Sequence, residues 1–279
     1  MNELRTIRKI VTGKHTVDGA GVKLVRVIGH DDIKEFDPFL MLDAFDSVDP
    51  NDYIKGFPWH PHRGIETITY LIQGDIEHGD SLGNTGRILT GECQWMTAGS
   101  GILHQEMPQA SERMLGIQLW LNLPAKDKMV SPQYHGIRKE DIPVIDEGDR
   151  RVHILAGVYD GKTGAMQGSY CKPLLLDVEV SAGAEWKLDS TENTTLFIYI
   201  FQGAGTFGSD RLIPAKHAVL FDETGTFLVR ASDEGIRFFL MAGEPLQEPI
   251  AWGGPIVMNT REELQLAFQE LEEGKFIKS

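Results

Sequence analysis

Residues 57–74 read FPWHPHRGIETITYLIQG. Two histidines, His60 and His62, flank Pro61. The proline biases His60 toward the extended region and keeps the segment straight. On an extended chain, residues i and i+2 share a face, so both imidazoles point the same way. The run at 65–72, IETITYLI, is rich in β-branched residues and reads as a strand that ends at Gly74. A surface loop has no need of histidines placed like this, whereas a metal ion does. Further on, ILHQEM at 102–107 repeats the spacing with His104 and Glu106, just after Gly99 and Gly101. Two such pairs on neighbouring strands of a barrel can converge on one point. They would offer three neutral nitrogens and one carboxylate, a donor set for iron, manganese, nickel, copper or zinc. Glu66 shares the parity of His60 and His62 and is a candidate fifth ligand; the alternative is a salt bridge at the barrel mouth. His30, His78, His135, His153 and His217 lack such spacing and are expected at the surface or in ordinary hydrogen bonds.

Short alternating segments dominate the rest of the chain. LGIQLWLNL at 115–123 places Leu115, Ile117, Leu119, Leu121 and Leu123 on one face, the pattern of a half-buried strand. Segments 174–180, 195–201 and 236–241 also read as strands, and Gly, Asn and Asp turns separate them. This punctuation indicates an all-β sandwich or barrel. A helix is expected near the C-terminus, where Thr260 and Glu263 form a capping box, Leu264, Leu266, Ala267, Phe268 and Leu271 follow, and Gly274 stops it. A shorter helix is expected near Glu112 or Pro124.

Tyr70-Leu71-Ile72-Gln73-Gly74 resembles Tyr199-Ile200-Phe201-Gln202-Gly203 at an offset of 129 residues. That period suits a duplicated barrel, with a linker near 132–150 and domains at 1–135 and 136–279. The same offset carries His60 and His62 onto Asp189 and Thr191, and an offset of 126 carries His104 and Glu106 onto Arg230 and Ser232. Those residues make a poor transition-metal site, so the second barrel is expected to be structural.

The chain has 279 residues, 41% hydrophobic content and a net charge of −14. So acidic a surface repels phosphate backbones and anionic membranes, which argues against direct nucleic-acid or membrane partners. Cys93 and Cys171 are too few for a disulfide scaffold and are expected to be buried thiols. No run of about 18 apolar residues appears. The expected location is cytoplasmic and the expected state a monomer.

Gly56, His60, His62, Glu66 and Gly74, then Gly91, Gly99 and His104, resemble the two halves of a cupin motif. More narrowly, HPHRGIETITYLIQG, QWMTAGSGILHQEMP and GEPLQEPIAWGGPIVMNTREEL resemble the pirin family, over about Phe36 to Phe276. The resemblance implies two tandem cupin barrels of the double-stranded β-helix, or jelly-roll, type, followed by the C-terminal helix. It also implies one divalent metal per chain, in the N-terminal barrel, on His60, His62, His104 and Glu106. Iron comes first among the candidates, ahead of nickel, manganese, cobalt, copper and zinc. In that family the position of Glu66 is not usually a ligand. Two roles follow from the resemblance. One is quercetin 2,3-dioxygenase activity, which opens a flavonol ring with dioxygen and releases carbon monoxide. The alternative is regulation through protein partners, with the metal as a redox-sensitive structural element. Four protein ligands leave two octahedral positions open, as catalysis on a small aromatic with dioxygen requires. Glu106 would act as the catalytic proton acceptor, and Phe45, Phe57 and Trp95 would wall the substrate pocket.

Overall fold

The computed structural model describes residues 4–189 and 193–278. The fold is all-β, with an α-helix at Arg261–Glu272, and no helix among the described residues is long and apolar enough to cross a membrane. Two compact units emerge. One contains Lys14–Ile33, Phe39–Lys139 and the segment from Leu246 onward; the other contains the segment through Gly13, Lys34–Pro38 and Glu140–Pro245. This departs from the expected division at 135/136, because each unit takes a piece of chain from the far end. Strand Ile7–Val11 pairs with Ala218–Phe221. The C-terminal helix buries Ala267 against Ile256, Met258 and Phe276, and its Glu270 pairs with Arg63 at 2.7 Å.

In the first of these units, among the described residues, a seven-stranded antiparallel sheet runs in the order 133–137, 93–97, 65–73, 114–122, 39–47, 22–28, 14–18. A four-stranded sheet runs 57–62, 102–108, 75–80, 85–89. Both sheets contribute to one apolar core, where Val22, Leu24 and Leu71 of the larger meet Ile76 and Ile88 of the smaller. This is the jelly-roll solution, two sheets closed over a shared interior. The strand expected at 115–123 spans Met114–Asn122 and is buried on both faces rather than one. On its even-numbered face, Gln118 and Trp120 line the cavity beside His60 and His62 instead of facing bulk water, while Met114 packs in the apolar core. The helix expected near Glu112 or Pro124 is a single 3₁₀ turn at Ala125–Asp127.

The second unit is organised around Thr195–Thr206 and the long strand Thr226–Gly243. The early part of that strand pairs with Glu185–Asp189 and the later part with Leu174–Val180. Gly235, at φ +78°, lies between the two parts and lets the strand change direction. The internal repeat is visible in the pairing itself. Leu115 opposes Gln73 and Gly116 opposes Leu71, so Ile72 is skipped. Ile200 opposes Phe238 and Gln202 opposes Arg237, so Phe201 is skipped. These two bulges sit at the same offset as the repeated pentads. At the positions equivalent to the metal tetrad, Asp189 accepts from Thr226 Oγ1 at 2.6 Å, Arg230 pairs with Glu185 at 2.5 Å, and Ser232 donates to the Gly235 carbonyl. Thr191 lies outside the described residues.

The helix begins at Thr260 with the expected capping box, and Gly274 follows at φ +70°. Leu264, Ala267 and Leu271, at i, i+3 and i+7, face the core, while Leu266 and Phe268 stay exposed.

Candidate metal centre and adjoining pocket

Strands Phe57–His62 and Ile102–Pro108 are antiparallel neighbours, with His60 directly opposite His104 and His62 opposite Ile102. Alternation turns Ile102, His104, Glu106 and Pro108 inward. Ligating atoms of His60, His62 and His104 come within 4.8 Å of one another. Their ring centroids are 4.3–5.0 Å apart.

Two carbonyls decide which ring nitrogens face inward. His60 Nδ1 lies 2.8 Å from the Pro58 carbonyl, and His62 Nδ1 lies 3.1 Å from the Pro255 carbonyl. A carbonyl only accepts, so each Nδ1 carries the proton and each Nε2 presents a lone pair. Those two Nε2 atoms face each other at 3.1 Å. Among the described residues, neither ring nitrogen of the fully buried His104 has a hydrogen-bond partner. Burial, then the neighbouring imidazoles, pushes the pKa of His62 down to about 3 and that of His104 well below the ordinary value. The site thus rejects protons while holding converging lone pairs, and a divalent first-row ion satisfies that arrangement.

Glu106 is not part of the three-histidine cluster. Its buried carboxylate accepts from Thr69 Oγ1 at 2.9 Å and Gln94 Nε2 at 3.3 Å through Oε1, and from Gln118 Nε2 at 2.7 Å through Oε2. Oε1 has both lone pairs engaged, while Oε2 has one left for a cation or a proton.

Glu66 lies elsewhere. Gly64, at φ +77°, breaks the extended run between His62 and Ile65, so parity does not carry across. Glu66 belongs to the larger sheet, opposite Thr97, whose hydroxyl donates to it at 2.7 Å, while its Oε2 has no hydrogen-bond partner among the described residues. It is outside the cluster, and the fifth-ligand expectation is withdrawn. Burial raises its pKa from 4.5 to about 7. Folding therefore favours the protonated form. That contribution to stability is complete below about pH 4.5 and is lost as pH rises to about 7. Glu66→Gln is expected to be near neutral at pH 4 and stabilising by ~1–3 kcal/mol at pH 8, as read by urea unfolding at both values. An unchanged pH slope in the variant would remove Glu66 as its source.

A cavity of about 560 Å³ adjoins His60 and His62. Phe57, Trp59, Trp120 and Trp252 line it, with His30 stacked on Trp252 at 3.8 Å. Trp120 meets His62 edge-on at 5.0 Å. Gln118, which holds Glu106, also lines the cavity, as do Arg26 and Asp43, paired at 2.8 Å. Of the three aromatics expected in the wall, only Phe57 lines it. Phe45 is packed in the core with Tyr53 and Leu71, and the buried Trp95 lies on the strand facing Ile68. Sequence reasoning missed Trp120, Trp252 and His30. Trp120 could have been found from its parity with Gln118. Nothing local marks Trp252, which comes from the distant C-terminal segment. His78 takes the hydrogen-bonded alternative rather than the surface one, with its Nε2 3.4 Å from Asp80 Oδ2. It is buried, stacked on Tyr134 at 4.5 Å, and 5.7 Å from His104.

Residues 21–121 match the family model for Pirin, and residues 175–277 match that for the Pirin C-terminal cupin domain. A pirin-like protein of Caulobacter vibrioides is 40% identical over 98% of this chain and 99% of its own length. A crystal structure of quercetin 2,3-dioxygenase from Acinetobacter baumannii superposes with a TM-score of 0.89 at 32% identity, covering 98% of this chain and 99% of that one. A bacterial pirin of Escherichia coli, solved in complex with nickel(II), shares the fold at a TM-score of 0.64 and 19% identity, over 88% of this chain and 99% of that one. With two cupin barrels, a three-histidine centre suited to a divalent metal, and family matches in both halves, this chain belongs to the pirin family.

Proposed function

We propose that this chain is a metal-dependent dioxygenase acting on a flavonol-like aromatic, of the quercetin 2,3-dioxygenase type. The observation that carries the proposal is the three-histidine cluster at the edge of an aromatic-walled cavity, supported by likeness to the Acinetobacter enzyme. His60, His62 and His104 would hold one divalent ion, with iron as the first candidate and Glu106 as fourth ligand through the remaining lone pair of Oε2. The ion would supply Lewis acidity toward the substrate oxygen and redox access to dioxygen. Glu106, held as an acceptor by three donors, has that one lone pair for either role, so it would leave the ion as it takes the proton of the substrate's enol hydroxyl. The aromatic walls would orient a flat polycyclic substrate and keep bulk water away. The acidic chain suits a small aromatic better than a phosphate backbone.

The test is anaerobic mixing with quercetin, followed by admission of oxygen. Binding should shift the visible band of quercetin without oxygen, and turnover should then need metal and oxygen together, consuming about one oxygen per flavonol. A band that never shifts and no oxygen uptake, with iron, nickel, cobalt, manganese or copper restored in turn, would leave regulation through a protein partner as the better account.

A further inference from the structure

The carbonyl that orients His62 belongs to Pro255, 193 residues away in sequence. It sits in a short hairpin in which Ala251–Gly253 pairs with Ile256–Met258. One arm carries Trp252 into the cavity wall; the other lies along the end of the histidine strand. Val257 N donates to the Arg63 carbonyl at 3.0 Å. A Cβ on Gly64 would come within 2.0 Å of the Val257 carbonyl, so the approach admits only glycine.

A single buried ammonium fastens this contact. Lys128 is 2% exposed. Its Nζ donates to Gly64 O at 2.8 Å, to Val257 O at 2.9 Å and to Asn122 Oδ1 at 2.5 Å. Three donor protons meet three oxygens, one from the turn after His62, one from the C-terminal hairpin and one from strand Met114–Asn122. Burying an ammonium is costly unless it is fully hydrogen-bonded; loss of this side chain removes a charged donor from all three oxygens, of which Gly64 O keeps a longer bond from Leu123 N at 3.4 Å.

We propose that Lys128 is a positioning residue for the metal centre: it ties the C-terminal hairpin to Gly64 so that the Pro255 carbonyl meets His62 Nδ1. The proposal rests on the three-histidine site taking a metal, and it does not depend on which reaction follows. Groups that orient metal-bound histidines typically change metal affinity by about 10–100-fold when removed. Binding linkage is reciprocal, so metal and hairpin docking must tighten each other by the same factor.

The experiment measures cobalt(II) and nickel(II) affinity by chelator competition, together with the cobalt ligand-field spectrum. Lys128→Met is expected to weaken binding by about 10–100-fold and to alter the cobalt bands. Leu240→Ala, a core truncation in the other unit, serves as a control for general destabilisation and should leave affinity unchanged. Equal loss in both variants, or unchanged affinity in Lys128→Met, overturns the proposal. In the unsubstituted protein, cobalt(II) should slow amide hydrogen exchange at Val257 and Trp252. That measurement stands even if Lys128→Met fails to fold, and exchange that cobalt leaves unchanged across the hairpin also overturns the proposal. None of these readouts requires turnover, so failure of the dioxygenase assay leaves them intact.

Discussion

His104→Leu should make the metal-free protein more stable and the metal-loaded protein unattainable. Both nitrogens of this fully buried imidazole lack a hydrogen-bond partner among the described residues. A buried polar atom without a partner costs about 1–3 kcal/mol, and leucine of similar volume carries no such cost. In chelator, chemical unfolding should therefore show a gain of ~1–3 kcal/mol. Removing one of three converging nitrogens should weaken divalent-metal binding by more than the ~10–100-fold that loss of an outer-shell partner costs, so that elemental analysis falls from about one ion per chain toward background. A variant that keeps its metal, or whose metal-free form loses stability, would show that His104 is held by something other than a ligand it awaits. The two signs together separate a ligand from a structural histidine, whose loss would lower stability and leave metal binding in place.

Glu106→Gln is expected to reduce kcat/KM toward a flavonol by about 10²–10⁴-fold, the usual span for loss of a positioned general base. The substitution also disturbs the cradle. Three donors meet two acceptor oxygens in the parent, whereas the amide offers only one and must turn its NH₂ either toward Gln118 Nε2, at 2.7 Å, or toward Thr69 and Gln94. One donor then faces another, which adds ~1–3 kcal/mol of destabilisation. Metal retention should weaken as well, since the single lone pair left on Oε2 is lost or displaced. Glu66→Gln, away from the cluster, should leave both metal content and turnover near the parent values. Full turnover in Glu106→Gln, with normal metal content, would move the proton acceptor to another group.

The histidine cluster was legible because it obeys a period-2 rule that strands enforce. The i, i+2 spacing put His60 and His62 on one face, and antiparallel pairing brought His104 opposite His60. The strand Leu174–Val180 and the capped helix from Arg261 were legible for similar reasons, since alternation and caps are local. Local rules fail where the backbone leaves its regular path. Gly64 adopts a left-handed conformation and resets the parity, which is why Glu66 turned out to belong to a different sheet. Aromatic identity does not say which face of a strand is chosen, so Phe45 and Trp95 were placed in a wall when they pack in buried positions. Pro255, Trp252 and Lys128 were invisible for another reason. Their roles arise from main-chain atoms and from a close approach across long sequence separations, and no spacing encodes that.

The first compact unit cannot be finished until the segment from Leu246 onward has been made, because that segment belongs to it. At typical synthesis rates of about 5–20 residues per second, the 193 residues between His62 and Pro255 take roughly 10–40 s to emerge. During that interval the histidine strand exists without the carbonyl that sets its tautomer. If the three histidines take the proposed ion, a nascent chain would hold it only weakly until Pro255 has emerged. Timing of synthesis would then act as a filter, giving chains that have reached Pro255 first claim on the ion.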